Sequence, residues 1–158
     1  MAADASGSDR LAALRHEADS LQPARAEDYR RIFETTADGI LIFDHAGQLV
    51  DVNPAACALH GRTRESILCG DPLGLIHPDS HAAFQAFHDT VTAGREFSGH
   101  VLGLRSDGST FHAELHGIPY RMADEGHYFA VLRDVTARKR AEQRVAELRA
   151  KFRAAFGQ

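Results

Sequence analysis

Residues 39–56, GILIFDHAGQLVDVNPAA, carry the pattern that decides the fold. The apolar run over 39–44 predicts a buried strand, and residues 49–53 predict a strand that returns beside it. The HAGQ between them has the small and polar residues of a turn. Asn53 and Pro54 then end the second strand and begin a helix, because Asn can cap a helix and Pro fits its first turn.

The chain beyond this hairpin predicts short helices first and longer strands afterwards. Asp79 is a candidate cap for the longest of these helices, and Gly94 ends it. The turn SDGS at 106–109 is a strong hairpin signal. This order of elements predicts an α+β domain on an antiparallel sheet. The predicted elements are helices over 54–60, 64–68 and 80–93 and strands over 96–105, 110–120 and 126–135.

Helical segments flank this domain on both sides. Residues 1–10 are small and polar and predict a disordered tail, and residues 11–28 predict a helical extension interrupted at Pro23. A second helical stretch is predicted over 24–35. The apolar positions of the extension have the 3-4-3 spacing of a seam that pairs with another helix. They are Leu11, Leu14, Ala18 and Leu21.

Residues 137–158 predict a longer C-terminal helix with a similar seam. Its apolar positions repeat at 4-3-4-3 spacing, as in a coiled coil. They are Ala141, Val145, Leu148, Phe152 and Ala155. Seven basic side chains face two acidic ones between Arg138 and Arg153, which would suit nucleic acid or a membrane surface. We favour a solvated face beside a dimer seam, because the apolar repeat explains the helix without such a partner.

Composition excludes several classes of protein. The 158 residues suit one domain with appendages, and 44% hydrophobic with 25% charged residues is typical of a globular chain. The net charge of −4 argues against nucleic-acid binding by bulk charge. The N-terminus has neither a basic region nor an apolar stretch, and no apolar run is long enough to span a membrane. Two cysteines make no disulfide framework, so we expect a cytoplasmic protein.

Taken in order, several of these motifs resemble the PAS family of sensory domains. The resemblance covers residues 29–136 and implies a five-stranded antiparallel sheet with short helices enclosing a cleft on one face. The flanking segments would then be coiled-coil-type helices. The segments that carry the resemblance are YRRIFETTADGI (29–40), DVNPAA (51–56), LIHPD (75–79), SDGS (106–109) and RDVT (133–136).

The resemblance implies a bacterial sensor domain with no catalysis of its own. Asp134 and Thr136, where the last strand becomes the exposed helix, would relay a movement of the sheet into that helix. The output domain would be a histidine kinase or a diguanylate cyclase, as in two-component signalling. KFRAAFGQ at 151–158 parallels DYRRIFET at 28–35, so we expect a longer parent protein with a second such domain. Catalysis is not expected because phosphate-loop and nucleophile motifs are missing.

The cleft of such a domain would either hold a small organic ligand or be a closed core, in a module that only dimerises. The sequence leaves both readings open. In either case the flanking helices would form a parallel homodimer. The residues expected to line the cleft are Ile76, Phe84, Phe87, His88, Val91, Val101, Ala113 and Leu115.

The sequence names no cofactor. A flavin photoadduct is not expected, because Leu73 stands where light-sensing members have cysteine and Cys69 lies a few residues earlier. Haem held by His81 or His88 remains an alternative. His112 and His116 share one face of a predicted strand with Glu114, and His100 lies on the strand before. These groups could bind zinc or sense pH, or they could simply form a polar outer face.

Overall fold

The computed structural model describes residues 22–122 and 125–157. The chain divides into two units, residues 1–35 and 36–158. The described part of the first unit is helix α1, Gln22–Thr35, which confirms the helix predicted over 24–35. The tail at 1–10 and the seam at Leu11, Leu14, Ala18 and Leu21 lie outside the described residues.

The second unit is a five-stranded sheet with helices on one face, as predicted. The strands lie in the order β2-β1-β5-β4-β3, and every neighbouring pair is antiparallel. Two 3₁₀ turns, Pro72–Leu75 and Pro78–Ser80, connect the helices. The strands are β1 Gly39–Asp44, β2 Leu49–Val52, β3 Phe97–Leu104, β4 Thr110–Met122 and β5 Glu125–Asp134, and the helices are α2 Pro54–His60, α3 Arg64–Cys69, α4 His81–Thr92 and α5 Thr136–Phe156.

The core lies between the helices and the inward face of the sheet. The ring of Phe43 on β1 stacks on Tyr128 of β5, with centroids 5.0 Å apart and planes 9° from parallel. Phe87 of α4 meets the Tyr128 ring edge-on at 5.4 Å. Gly117 on β4 makes this close approach possible, because a Cβ there would lie 2.5 Å from the Phe87 ring. Helix α4 therefore packs directly against the backbone of β4.

Asn53 holds the point where β2 becomes α2. Its side chain is fully buried, and Oδ1 accepts hydrogen bonds from the backbone N–H groups of Ile40 (2.8 Å) and Ala56 (3.0 Å). Its Nδ2 donates to the carbonyl oxygen of Asp38 at 3.0 Å. The predicted helix cap is confirmed, and the same side chain also fixes the segment that leads into β1.

The start of α4 differs from the prediction. Asp79 does not cap this helix; its backbone N–H donates to Nδ1 of His77 within the preceding 3₁₀ turn. Ser80 precedes the helix, and its hydroxyl oxygen accepts from the backbone N–H of Leu102 at 2.8 Å. A residue suited to capping is used here to attach the helix to β3. Strand β4 also continues to Met122, beyond the predicted end at residue 120.

We expect Asn53→Ala to lower the free energy of unfolding by about 2–4 kcal/mol, because it removes three hydrogen bonds and leaves buried backbone groups without a partner. Urea unfolding followed by circular dichroism measures this. Thr63→Ala is the matched control, since the Thr63 hydroxyl makes one exposed cap bond, to the Ser66 N–H at 3.1 Å. That loss should cost about 1 kcal/mol. Equal losses in the two variants would contradict a bracing role for Asn53.

Candidate functional site

A small, partly open cavity lies between the sheet and the helices. Its volume is about 20 Å³, which is space for one or two water molecules. The inward faces of β1, β4 and β5 form its floor, and α2, the turn Pro72–Leu75 and α4 form its roof. Its lining residues are Leu41, Phe43, His60, Pro72, Leu75, Ile76, Phe84, Leu115, Ala130 and Leu132.

The residues expected to line the cleft divide into three groups. Ile76, Phe84 and Leu115 line the cavity. A second group lies in the same hydrophobic core without lining it: Phe87, Val91, Val101 and Ala113. His88 is partly buried, and its Nδ1 lies 2.7 Å from the hydroxyl oxygen of Tyr128. Burial raises the pKa of the Tyr128 hydroxyl, so that group stays protonated at neutral pH.

Seven of the ten lining residues were not among those expected from the sequence, and His60 is the polar one. It is the last residue of α2 and is completely buried, with Nδ1 3.1 Å from the carbonyl oxygen of Leu104. Since a carbonyl oxygen only accepts, Nδ1 carries the proton and Nε2 of the neutral ring is an acceptor. Nε2 is buried and has no hydrogen-bond partner. The signal was available, because His60 follows Ala56 by four residues and so shares its buried helix face.

The neutral state of His60 has a clear physical cause. Burial lowers the pKa of the imidazole below its ordinary value of 6.5, and the charges of Arg62 and Arg105 lower it further. The hydrogen bond to Leu104 acts in the opposite direction and is the smaller effect beside burial. The ring also packs edge-on against Phe111, with centroids 5.2 Å apart.

Of the two candidate haem ligands, His88 contacts Tyr128, and His81 is hydrogen-bonded to the backbone. Its Nε2 lies 3.2 Å from the carbonyl oxygen of Leu73 and 3.1 Å from that of Ile76. Because both partners only accept, Nε2 carries a proton and has no lone pair for iron in this arrangement. Cys57 is partly buried, Cys69 is exposed, and both are free thiols.

The strand histidines lie on the outer face of the sheet, as predicted. His100 is opposite Glu114 in the β3–β4 register, with Nε2 and Oε1 3.9 Å apart. His116 Nδ1 lies 3.0 Å from the hydroxyl oxygen of Ser98. His112 is exposed on the same face. Across residues 22–122 and 125–157 there is no group of three side chains placed to hold a metal ion.

Glu114 instead connects the sheet to the C-terminal helix. Its Oε1 accepts a 2.7 Å hydrogen bond from Arg138, in the first turn of α5. That bond is the main cause that lowers the pKa of the carboxyl group; burial acts in the opposite direction, and the charge of Arg138 lowers the pKa further. The Arg138 side chain is about half exposed, so the pair orients the helix more than it stabilises the fold.

The predicted relay residues form a compact junction between β4, β5 and α5. Asp134 Oδ1 accepts from the backbone N–H of Thr136 at 2.9 Å, and Thr136 Oγ1 accepts from the backbone N–H of His112 at 3.0 Å. The N–H of Val135 donates to the carbonyl oxygen of His112 at 2.9 Å. Threonine at the start of a helix is a common cap, but the Thr136 side chain makes no cap bond and instead ties the first residue of α5 to strand β4.

Helix α5 leaves this junction with an exposed apolar stripe. The large apolar residues of the expected C-terminal seam, Val145, Leu148 and Phe152, have exposed fractions of 48%, 60% and 63%. Phe156 continues the stripe at 71%. Four large apolar side chains on one face of one helix are more than an isolated surface normally shows.

These features together define a fold class: an antiparallel sheet that carries an apolar interior and continues directly into an exposed helix. A family model described as the PAS fold matches residues 27–135, and the chain belongs to this family. The resemblance read from the sequence is thereby confirmed. The PAS domain is a sensory module, of the kind found in sensor histidine kinases, and is not itself catalytic.

Solved structures of several other proteins share this fold. A domain of a sensory box sensor histidine kinase/response regulator from Geobacter sulfurreducens is 28% identical, with a TM-score of 0.59, covering 70% of this chain and 94% of that one. The PAS domain of a protein from Colwellia psychrerythraea is 21% identical, with a TM-score of 0.62 and coverage of 71% and 98%. An RNA-binding light-oxygen-voltage receptor is 22% identical, with a TM-score of 0.67 and coverage of 82% and 38%.

A longer relative carries a segment similar to this chain. An uncharacterized protein of Azorhizobium caulinodans is 31% identical over 131 residues. The match covers 74% of this chain and 17% of that protein, so the chain corresponds to about a sixth of its relative. None of the described helices is long and apolar enough to cross a membrane.

The buried neutral state of His60 predicts a dependence of stability on pH. A lowered pKa in the folded state means that the unfolded chain binds the proton more readily. The contribution of the neutral ring to stability is therefore complete above about pH 6.5 and is lost as the pH falls below it. We expect His60→Leu to lose less free energy of unfolding than the wild type between about pH 7.5 and about pH 5.

Urea titrations at several pH values measure this difference, with His45→Leu as the control. His45 is exposed in the turn between β1 and β2, and its replacement should leave the wild-type pH profile unchanged. A His60→Leu profile parallel to that of the wild type would show that His60 takes up its proton as easily in the folded chain as in the unfolded one.

Proposed function

We propose that this chain is a regulatory sensor domain that passes a change in its interior to an output domain through helix α5. The domain would occupy residues 29–136, with the helical extension at 11–28 before it and the signalling helix at 137–158 after it. The parent protein would be a bacterial cytoplasmic sensor, with a histidine kinase or a diguanylate cyclase as its output.

The junction at Thr136 is the observation that supports this proposal most directly. One hydroxyl oxygen on the first residue of α5 accepts from the backbone of β4, so a shift of that strand moves the start of the helix. The hydrogen bond between the side chains of Glu114 and Arg138 also joins β4 to the first turn of α5. Strand β4 also bears Leu115, which lines the cavity, so the interior and the helix share one element.

We propose that the protein signals as a parallel homodimer through its flanking helices. The exposed stripe of Val145, Leu148 and Phe152 supports this, because a second copy of the helix would cover these side chains in register. The extension at 11–28 carries the second proposed seam. No nucleic acid and no membrane insertion enter this proposal.

A second candidate function is a dimerisation module with a filled core. The cavity of about 20 Å³ favours it, because a closed interior of this size holds no organic ligand without a movement of its walls. The two candidates differ in one measurable respect. If the domain is a sensor, a change in its interior alters the hydrogen exchange or the geometry of α5. If it is only a dimerisation module, α5 stays unchanged.

We expect Thr136→Val to speed hydrogen exchange at the His112 amide and in the first turn of α5. Valine preserves the shape of threonine but has no oxygen to accept the His112 N–H, so that amide loses its partner. Hydrogen exchange followed by mass spectrometry measures the change. Thr90→Val is the control, because the Thr90 hydroxyl donates only within α4, to the carbonyl oxygen of Ala86. Unchanged exchange at residues 112 and 136–140 would argue against the relay.

We expect Leu148→Lys to weaken the dimer by at least about tenfold, since it places two charges in an apolar seam. Sedimentation velocity over a concentration series measures the dissociation constant. Ala146→Lys is the control, because it adds the same charge about 160° away around the same helix. Equal effects of the two substitutions would place the dimer contact elsewhere.

A further inference from the structure

We propose that protons are a signal for this domain, received on the outer face of the sheet by His100 and His116, which then compete with Arg138 for the carboxylate of Glu114. The inference rests on the proposed sensor function, for which it names one signal and the contact through which that signal reaches α5. The interior of the domain takes no part in it.

Glu114 is the common neighbour of the two histidines and the C-terminal helix. Its Oε1 accepts from Arg138 at 2.7 Å, and the same oxygen lies 3.9 Å from Nε2 of His100, which stands directly opposite in the β3–β4 register. His116 lies two residues along β4 on the same face, and a charge on its ring would lower the pKa of Glu114, as a charge on His100 would. One carboxylate is therefore shared between a permanent cation and two side chains that are charged only when protonated.

The histidines are the groups at this contact that change charge near neutral pH. The hydrogen bond from Arg138 is the main cause that lowers the pKa of Glu114, so the carboxyl group is ionised above about pH 5. Arginine keeps its charge throughout this range. An imidazole ordinarily gains its proton between about pH 7.5 and about pH 5.

Two further ion pairs surround the contact. Arg133 of β5 stands opposite Glu114 in the β4–β5 register, and its guanidinium lies 3.2 Å from the carboxylate of Asp38. On α5, an oxygen of Glu142 lies 3.9 Å from Nε of Arg138. Neither pair contains an imidazole, so neither supplies a charge that ordinarily changes in this range of pH.

Protonation of the histidines opposes the bond between Glu114 and Arg138 in two ways. Nε2 of a protonated His100 reaches hydrogen-bond distance of Oε1 by moving about 1 Å, and it then competes with Arg138 for that oxygen. Positive charges on the rings of His100 and His116 also repel the guanidinium of Arg138. Neutral rings exert neither effect, so at higher pH the carboxylate is left to Arg138.

The bond that protons weaken is one that holds the start of α5. Arg138 lies in the first turn of this helix, two residues after Thr136. A fall in pH would therefore loosen the helix at the position where the sensor proposal places its output. Since the Arg138 side chain is 53% exposed, the effect is modest and is screened by salt.

Hydrogen-exchange protection of residues 139–143, taken relative to an unstructured chain at the same pH, measures how firmly the helix start is held. Lys139 supplies the first amide of α5 with a helical partner, the carbonyl oxygen of Val135 at 2.9 Å. We expect protection in the wild type to fall about threefold between about pH 7.5 and about pH 5.5, the size of one exposed ion pair. Added salt at about 0.5 M should reduce this difference.

The variants separate competition between charges from a structural role. His100→Gln combined with His116→Gln removes both imidazoles, so protection should stay at its high value at both pH values. Glu114→Gln leaves only a neutral amide oxygen for Arg138, so protection should stay low at both. The controls are His45→Gln in the β1–β2 turn and His112→Gln, the third imidazole on this face of β4, and each should keep the wild-type dependence.

Protonation of His60 is distinguished by its wider effect. It lowers the stability of the whole domain, so it reduces protection in α4 as well, whereas the proposed competition acts on residues 139–143. Equal wild-type protection of those residues at both pH values, a fall of the same size in α4, or a wild-type fall in the double histidine variant would overturn the proposal. So would a loss of the pH dependence in His112→Gln. The sensor function fails separately, in the exchange experiment on Thr136→Val at about pH 7.5, where imidazoles are ordinarily neutral.

Discussion

The three hydrogen bonds of the Asn53 side chain are the constraint on which the rest of the domain depends. They join the approach to β1, the first residues of that strand and the first turn of α2 at one fully buried point. Without the amide, the buried N–H of Ala56 would be left unsatisfied, and the partly buried groups of Asp38 and Ile40 would lose a partner. These hydrogen bonds fix the position of α2 over the sheet. The position of α2 in turn places His60 at the cavity wall.

The interior and the C-terminal helix are connected through the central strands. Phe43 stacks on Tyr128 of β5, and β5 continues to Asp134 at the junction. Beside it, β4 carries Leu115 under the cavity and His112 beneath Thr136. In the proposed sensor, a change of packing at the cavity would reach the helix through two hydrogen-bonded strands. Close packing favours this path, because dense interiors transmit strain.

The sequence predicted the elements well where local patterns decide them. The alternation in β4 placed Ala113 and Leu115 inward and the histidines outward, and Asn53 was recognised as a cap. The prediction failed where a polar side chain makes a hydrogen bond to a distant strand. Ser80 accepts from Leu102 and Thr136 accepts from His112, and spacing along the chain gives no sign of such contacts. The spacing of α2 could have placed His60 on the buried helix face with Ala56, but it could not have shown the partner of His60, Leu104, which is 44 residues away. Whether Phe87 or Phe43 lines the cavity likewise depends on packing between elements.

The length of α5 means that a small tilt at its base moves its far end by a large distance. A helix of 21 residues extends about 32 Å at about 1.5 Å per residue. With its base fixed at Thr136, a tilt of about 10° would carry its far end sideways by about 5 Å, roughly one helical pitch. If the proposed relay operates, a small displacement in β4 would therefore become a larger displacement at the far end of α5, and the hydrogen bonds at Thr136 would determine how much of it is transmitted.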